Sequence, residues 1–389
     1  MKHSVIVVGA GVYGAAAALE LANRGYTVTL LDPGPLPHPD AASTDISKVI
    51  RMDYGGDEFY MDMMEAALAG WRRWNTEWER PLFHEDGVLM LSRGPLAPGG
   101  YEYESMRLLE KRGHTFTRLT SDTLASRFPA WRAEHYPDGY FNPQGGWAES
   151  GEVIAYLLKL CQSAGVMLSD GTRVSELVTR GVRVVGVRTT AGDTVDAETT
   201  LVAAGTWTHT LVPDMVDKMW SAGQNVIHFG MDDVSTFQPP HFVTWTADVS
   251  RTGWYGFPSK GDGTLKIANH GVGLRLHPDE PRRITPDAEA QFRAFLQYTF
   301  PSIADAPIVG TRLCLYCDTW DGDFYIDHHP RLSGLMVASG GSGHGFKFAP
   351  VLGSLAADVL AGVPNRYAAR FAWRERGQAR TEAARYMGN

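Results

Sequence analysis

Cysteine is scarce in this chain: Cys161, Cys314 and Cys317 are the only three among 389 residues. Three thiols cannot build the disulfide framework of a small secreted domain and suit a reducing compartment, so a cytoplasmic protein is expected. No run of about twenty apolar residues is available to span a bilayer. The apolar opening Val5 to Leu21 is broken by Gly9, Gly11 and Gly14, with no convincing cleavage site after it, so it does not read as a secretory signal. Positive charge is also in deficit: 36 Lys and Arg against 44 Asp and Glu give a net charge of -8, which argues against nucleic acid as a partner. The acidity is dispersed and serves solubility. Internal repeats and low-complexity tails are missing too. What remains, 44% hydrophobic residues over a long chain, is enough for a large core in two domains that can be interleaved.

The chain opens on strand, glycine turn and helix. Val5 to Val8 are apolar, Gly9-Ala10-Gly11-Val12-Tyr13-Gly14 follows, and Ala15 to Asn23 is Ala-rich and helical in pattern. Each glycine has a task in a dinucleotide-binding start. Gly9 permits the tight turn, Gly11 lets the backbone approach a pyrophosphate, Gly14 allows close packing of helix on strand, and the helix N-terminus faces the phosphate charge. Gly25 closes the helix as a left-handed cap. Thr27 to Leu31 supply a second strand, and Asp32 stands where a carboxylate accepts hydrogen bonds from a ribose. A carboxylate there would repel a 2′-phosphate, which leaves FAD or NAD. No second strand, glycine turn and helix exists for a separate nicotinamide cofactor. The one built-in nucleotide must then do the redox chemistry itself, which points to FAD.

Further along, Phe59, Met63, Met64, Ala67, Leu68, Trp71, Trp74 and Trp78 recur at threes and fours and predict a helix that packs a core rather than an aromatic cofactor box. Past Pro81, His84 to Leu91 reads as a strand entering a second unit, and Gly94 to Gly100 as a surface loop. Val174 to Val178, Val182 to Thr189 and Thr194 to Val202 read as a strand and hairpin beside a nucleotide domain that resumes at Ala203-Ala204-Gly205-Thr206. Between Trp220 and Tyr316 short strands alternate with Pro and Gly turns, plus one helix with Thr285 as N-cap and Pro286 as first residue. Leu335 to Ser339 is a last strand, leading through the glycine-rich run Gly340 to Lys347 into a helix near Pro350. The predicted fold is α/β: a Rossmann-like FAD-binding domain, residues 1–83, 144–218 and 321–389, interleaved with a sheet-rich α+β substrate domain, residues 84–143 and 219–320.

Three C-terminal runs are distinctive: Arg312-Leu313-Cys314-Leu315-Tyr316, Asp323-Phe324-Tyr325-Ile326-Asp327-His328-His329-Pro330, and Gly343-His344-Gly345-Phe346-Lys347-Phe348. With Leu265-Lys266-Ile267-Ala268-Asn269-His270 and Gly253-Trp254-Tyr255-Gly256-Phe257-Pro258, they resemble the monomeric sarcosine oxidase family. That family includes fructosyl amino acid oxidases (amadoriases), N-methyltryptophan oxidase and pipecolate oxidases. The resemblance implies FAD joined through its 8α-methyl carbon to a cysteine and a two-domain fold of interleaved segments. It also implies a monomer that oxidises the secondary amine of an N-substituted amino acid with O2, giving an imine that hydrolyses and H2O2.

By the same resemblance Cys314 is the flavin-linking cysteine, Lys266 the oxygen-activating lysine, and Arg51 with Lys347 the carboxylate-binding pair. His270 falls near the flavin, and Lys48 and Tyr255 join these as candidate catalytic residues. The candidate cofactor contacts are Gly9, Gly11, Val12, Tyr13, Gly14, Asp32, Ser43, Thr44, Lys48, Val174, Gly205, Trp207, Cys314, Gly343, Gly345, Phe346 and Lys347.

Read from the residues alone, Cys314 and Cys317 form a C-x-x-C pair that suits a redox dithiol, half a zinc site or an inert buried cysteine. No second cysteine pair exists, and His328 and His329 sit too close in a strand to face one metal, so no metal site is expected. Lys347, in a glycine-rich loop before a helix, suits an anion: a substrate carboxylate, or the negative charge that develops on a reduced flavin. His270 resembles the sarcosine branch, since amadoriases carry an acidic residue there. Ala42 to Tyr54 with Lys48, and Gly146-Trp147-Ala148-Glu149, look more like the amadoriase branch. Three readings stay open: an oxidase of N-substituted amino acids; a flavin dehydrogenase of similar amines, or of pipecolate or D-amino-acid substrates, that feeds a carrier; and a non-catalytic flavin protein. Lys266 favours the first, because a fixed cation beside the flavin stabilises superoxide.

Overall fold

The computed structural model describes residues 3–388. Ser4–Val8 lies inside a six-stranded sheet of order Tyr325–His328, Leu335–Ser339, Thr199–Val202, Ser4–Val8, Thr27–Leu31 and Met167–Ser169. All neighbours run parallel except the antiparallel edge pair Tyr325–His328 and Leu335–Ser339. A parallel sheet is covered on both faces, which is why Val5 to Val8 read as one apolar run and not as an alternation. Val5 and Val7 pack with the helices Val12–Asn23, Ser150–Ser163 and Ala349–Ala361. Ile6 and Val8 pack on the other side against Val174 and Val187 of the hairpin Val174–Arg180 and Arg183–Thr189. Gly9 turns the chain at φ +103°, and a Cβ on Gly14 would lie 1.8 Å from the Gly9 carbonyl oxygen. Helix and strand therefore meet at a separation only glycine allows.

The second sheet has nine strands. Its long ladder pairs Met219–Gly230 with Ile308–Thr319, and continues through Thr264–Asn269, Trp254–Gly256, Thr244–Ala247, Val88–Ser92, Asp138–Asn142 and Thr117–Leu119. Side chains alternate across it. Leu265 and Ile267 enter an aromatic core with Trp245, Phe292 and Phe295 under the helix Ala288–Thr299. Lys266 takes the opposite face by the two-residue period, the side on which Ala268, Cys314 and Tyr316 cluster. A small antiparallel sheet, Lys48–Arg51 with Gly145–Ala148 and Phe83–His84, carries Lys48 and Arg51.

The helix expected around Phe59 to Trp78 is Glu58–Glu77, N-capped by Asp57, with Met63, Met64, Ala67, Leu68 and Trp71 in the core. Three expectations need correction. The strand read over His84 to Leu91 is two, Phe83–His84 and Val88–Ser92, in different sheets, because Gly87 turns the chain at φ +92°. Thr194 to Val202 also divides: Thr194–Asp196 finishes the hairpin sheet and Thr199–Val202 joins the central one. The helix after Thr285 starts later, at Ala288 with Asp287 as N-cap, while Thr285 uses its backbone N–H and its hydroxyl on the Asn225 side chain. No helix among the described residues is long and apolar enough to cross a membrane.

Gly14→Ala drives a methyl into backbone, so a loss at the upper end of overpacking costs, about 3 kcal/mol, is expected. Gly171→Ala, at φ +63° with open space around the new Cβ, should cost only about 1 kcal/mol of left-handed strain. Urea unfolding midpoints compare the two, and equal losses would contradict the close packing.

Candidate active site

The glycine turn opens on a cleft at the carboxyl end of the Ser4–Val8 strand. Its empty volume, counted out into the open solvent at its mouth, is about 1260 Å³, and its lining runs from the glycine turn past Asp32 to the 340–346 loop. A ligand as long as a dinucleotide suits it. Gly9, Gly11, Val12 and Tyr13 line one wall; Asp32, Ser43, Lys48 and Val174 continue it; Gly205, Trp207, Gly343, Gly345 and Phe346 complete it. Ser43 Oγ accepts from the Val12 amide at 2.9 Å. The Asp32 carboxylate accepts from the Ala10 and Gly34 amides at 2.8 and 3.1 Å, and burial pushes its pKa up from the ordinary value. It keeps lone pairs for a further donor. The buried Tyr13 hydroxyl has no hydrogen-bond partner among the described residues, and a Cβ on Gly345 would lie 2.5 Å from it. A helix N-terminus, a side-chain-free cradle and a carboxylate beyond the second strand are the donor and acceptor set that FAD needs, so these residues fit it.

Four of the expected contacts, Gly14, Thr44, Cys314 and Lys347, do not line this cleft. Gly14 serves the packing of helix on strand instead. Thr44 is a correction: its hydroxyl donates to the carbonyls of His38 and Ala41, at 2.6 and 3.0 Å, and braces its own loop.

Arg51 and Lys347 are both buried and meet around Tyr54, across a span of 296 positions that no local pattern relates. The Arg51 guanidinium donates to the Asp53 carbonyl and the Tyr101 hydroxyl, and lies 5.6 Å from the centres of the Tyr54 and Tyr101 rings. Lys347 donates to the Tyr54 hydroxyl at 3.1 Å, and Tyr54 donates onward to His344 Nδ1 at 3.0 Å. His344 Nε2 faces the Gly322 carbonyl at 3.0 Å, which sets its Nε2–H tautomer. Burial draws His344 down to about 3, so it is neutral. Burial, with Arg51 adding to it, also draws the Lys347 ammonium well below the usual lysine range. Two buried carboxylates act on these cations. Asp53 accepts from the Tyr140 hydroxyl at 2.6 Å, and burial raises its pKa against that hydrogen bond and Arg51. Glu382 lies 3.6 Å from Arg51 Nη2 and 3.0 Å from His270 Nε2. Burial opposes its charge, but the His270 hydrogen bond and Arg51 hold its pKa well below the carboxylate range.

Lys266 lies on the face of the nine-stranded sheet that carries Cys314 and Tyr316, of which Tyr316 lines the cleft. Its Nζ donates to the Ser47 carbonyl at 2.6 Å and pairs with Asp45 at 2.7 Å, both groups buried. Burial outweighs the attraction of Asp45 and pulls Lys266 down to about 8. Cys314 shares that face, with Sγ 3.8 Å from Lys48 Nζ, and Lys48 itself lines the cleft. Tyr255 meets Tyr316 hydroxyl to hydroxyl at 3.4 Å. Cys317, three positions on, points to the opposite face of the strand, toward Met219 and Ser339, where burial pushes its thiol up to about 12. Both thiols are unbonded. Side chains an odd number of positions apart on one strand cannot share a disulfide or a metal, so the dithiol and half-zinc readings fall.

The sequence reading missed Glu382, Asp45, Tyr54, Tyr101 and His344. Each is defined by a partner far away in the chain, and only His344, inside the Gly343 to Phe348 run, carried a local signal. Trp147 and Glu149, which looked amadoriase-like, belong to the framework. Trp147 stacks on His84 at 4.2 Å, and Glu149 binds Arg80 and Lys260, each at 2.7 Å.

Residues 4–359 match the family described as FAD dependent oxidoreductase. The chain is 30% identical to monomeric sarcosine oxidase of Bacillus sp. (strain NS-129) over 364 residues, covering 91% of this chain and 92% of that one. It is also 30% identical to N-methyl-L-tryptophan oxidase of Salmonella heidelberg (strain SL476) over 367 residues, covering 93% and 95%. The solved structure of fructosamine oxidase from Aspergillus fumigatus (Amadoriase II) in complex with FSA superposes with a TM-score of 0.87 at 26% identity, covering 100% of this chain and 94% of that one.

The pair at Lys266 makes a pH prediction. Its folded pKa of about 8 lies below the unfolded value of 10.5, so between those values the unfolded chain holds the extra proton and stability rises with pH. A depression of this size corresponds to roughly 3 kcal/mol of burial cost, present below pH 8 and relieved above it. The stability difference between wild type and Lys266→Met, from urea titrations across pH 7 to 10.5, should therefore shift toward the wild type as pH rises. A flat difference would mean that Lys266 titrates normally.

Proposed function

The chain belongs to the family of FAD-dependent oxidoreductases, and from that premise we propose that it oxidises the secondary amine of an N-substituted amino acid with O2, giving an imine that hydrolyses and H2O2. One observation carries the reading. Two buried cations, Arg51 and Lys347, come together around Tyr54, and among the described residues Lys347 has no carboxylate in ion-pair contact. That unpaired ammonium beside a guanidinium suits one incoming anion, as an amino acid carboxylate supplies. Arg51 offers a planar fork that grips a carboxylate bidentately, and Lys347 regains a full counter-charge when one arrives. Holding the carboxylate from two sides also orients the neighbouring carbon and nitrogen.

The chemistry supplied by FAD, when bound, is uptake of a hydride from the carbon beside the nitrogen and return of both electrons to O2. Gly9, Gly11, Val12, Tyr13, Asp32, Ser43, Gly205, Trp207, Gly343, Gly345 and Phe346 would hold it, with Cys314 as its covalent anchor. Lys266 keeps positive charge on the cofactor side of the sheet and favours O2 over a carrier protein as electron acceptor. His270 stands beside Glu382, which faces Arg51, whereas the amadoriase-like Trp147 and Glu149 are committed to framework contacts. That difference favours a small N-alkyl amino acid over a fructosyl one. The three unbonded thiols suit the cytoplasm, and we take the enzyme to act as a monomer.

Peroxide release from an N-alkyl amino acid and from its decarboxylated amine tests the reading. The acid should be the far better substrate, and Arg51→Gln should lower kcat/KM for the acid by about a hundredfold or more, the loss of a buried charge-assisted contact. Equal turnover of acid and amine would sink the proposal. Covalency is tested separately by acid precipitation: yellow colour should stay in the wild-type pellet and leave with the supernatant from Cys314→Ala. Flavin released from both proteins would remove Cys314 from the account.

A further inference from the structure

We propose that Glu382, carried by the C-terminal tail, is a positioning residue for catalysis: it fixes His270 so that Nδ1 receives the proton of the substrate ammonium. The inference rests on the amine-oxidase reading above, which requires the amine to be uncharged before it gives up a hydride.

The geometry is that of a carboxylate and imidazole dyad. Glu382 Oε2 lies 3.0 Å from His270 Nε2, and both side chains are under a tenth exposed. An ionised carboxylate only accepts, so His270 is the donor and its Nε2 holds the hydrogen. Nδ1 then carries the lone pair, and the ring's one side-chain hydrogen bond among the described residues is the one at Nε2. The backbone fixes the ring at both ends: the His270 amide donates to the Gly253 carbonyl at 2.7 Å, and the Tyr386 amide donates to the His270 carbonyl at 3.0 Å. Arg385 locks the tail in place. It binds Asp318 with both guanidinium nitrogens and donates to the Ser342 carbonyl at 3.0 Å.

The surroundings suit a base that must start neutral. His270 is faced by Glu382 and Arg385 from the tail, Arg51 from the small sheet, His344 from the glycine loop, and the Tyr316 ring at 5.7 Å. Burial lowers its pKa, Glu382 opposes the drop, and Arg385 and Arg51 add to it. In the step, a nitrogen-bound proton of the substrate ammonium passes to Nδ1, leaving a neutral secondary amine and an imidazolium whose charge Glu382 balances. No electrons move. The proton leaves later to solvent. The second Glu382 oxygen, Oε1, has no hydrogen-bond donor among the described residues and stands 3.6 Å from Arg51.

The experiment measures kcat/KM for an N-alkyl amino acid across pH in the purified flavin-loaded wild type, Glu382→Gln and His270→Asn, with binding of an ether-linked acid that has no amine proton. A general base typically contributes on the order of 10² in rate, so both variants should lose at least about tenfold at pH 7. Near pH 10.5 the substrate arrives largely neutral, since an aliphatic ammonium titrates at about 10, and the loss should shrink to less than about threefold. Affinity for the ether acid should hold or rise in Glu382→Gln, because a negative charge beside Arg51 is gone. A loss of equal size at every pH would overturn the proposal, as would a fall in ether-acid affinity matching the fall in kcat/KM. If Glu382→Gln does not fold, His270→Asn decides by the same pH pattern. A wild type that releases no peroxide from any N-alkyl amino acid refutes the amine-oxidase reading instead, which separates the two failures.

Discussion

Three cations, Arg51, Lys266 and Lys347, are buried where water cannot solvate them, and the interior is arranged around that constraint. The three are compensated to different degrees. Lys266 has a contact ion pair with Asp45 and a backbone carbonyl. Arg51 is shared among a carbonyl, a phenol, two aromatic faces and a carboxylate 3.6 Å away. Lys347 has, among the described residues, one side-chain hydrogen bond, to the Tyr54 hydroxyl, and that ring 5.0 Å off, with Glu382 and Asp53 as more distant countercharges. Incomplete compensation costs stability, since an uncompensated buried charge is among the most expensive features a fold can carry. It is also what gives a chamber affinity for an incoming anion. The gradient from Lys266 to Lys347 thus separates a cation in a contact ion pair from one with no carboxylate in contact among the described residues.

The C-terminal tail is part of the same solution. Beyond Phe371 it buries few apolar side chains, so burial alone does not hold it. Asp318, Asp321 and Asp323 cluster, buried, where the strand Ile308–Thr319 ends, and Arg385, Arg374, Arg370 and Arg380 bind them. Exposed ion pairs contribute little. These aspartates are each about 5% exposed or less, so removing an arginine would strand a buried carboxylate. Tail and aspartates require each other, and one consequence is that Glu382 arrives beside His270.

How much of this was legible in the sequence follows the range of each interaction. The glycine turn, the parallel strands around it and the helix Glu58–Glu77 rest on neighbours within a few positions, so periodicity and cap chemistry reveal them. The partner of Lys266 is 221 positions away and that of His270 is 112 away. No local pattern encodes such pairs. Asp45, Tyr54, Tyr101 and Glu382 therefore look like ordinary polar or aromatic residues until the chain is folded. Thr285 failed for a related reason: a good N-cap by type, it spends its hydrogen bonds on Asn225, a tertiary partner that outweighs local preference. The C-x-x-C pair shows the reverse case. Its ambiguity vanished once Cys314 and Cys317 were known to share a strand, because three positions is an odd step.

That same parity governs the face that carries Lys266. In Thr264–Asn269, Leu265 and Ile267 enter the aromatic core while Lys266 and Ala268 take the other side, joined there by Cys314 and Tyr316. A slip of one residue would exchange the two sets, placing Lys266 among phenylalanines and leucine beside the cofactor cleft. The ladder that prevents this is long: Thr319 to Gly310 pair without irregularity against Met219 to His228, and the register shifts only beyond His228. His228 is also the residue opposite Lys266 in the neighbouring pair, and its Nε2 lies 3.6 Å from Asp45. Packing of Leu265 and Ile267 therefore does more than stabilise the sheet. It selects the register in which Lys266 meets Asp45, and the chemistry of that face depends on it.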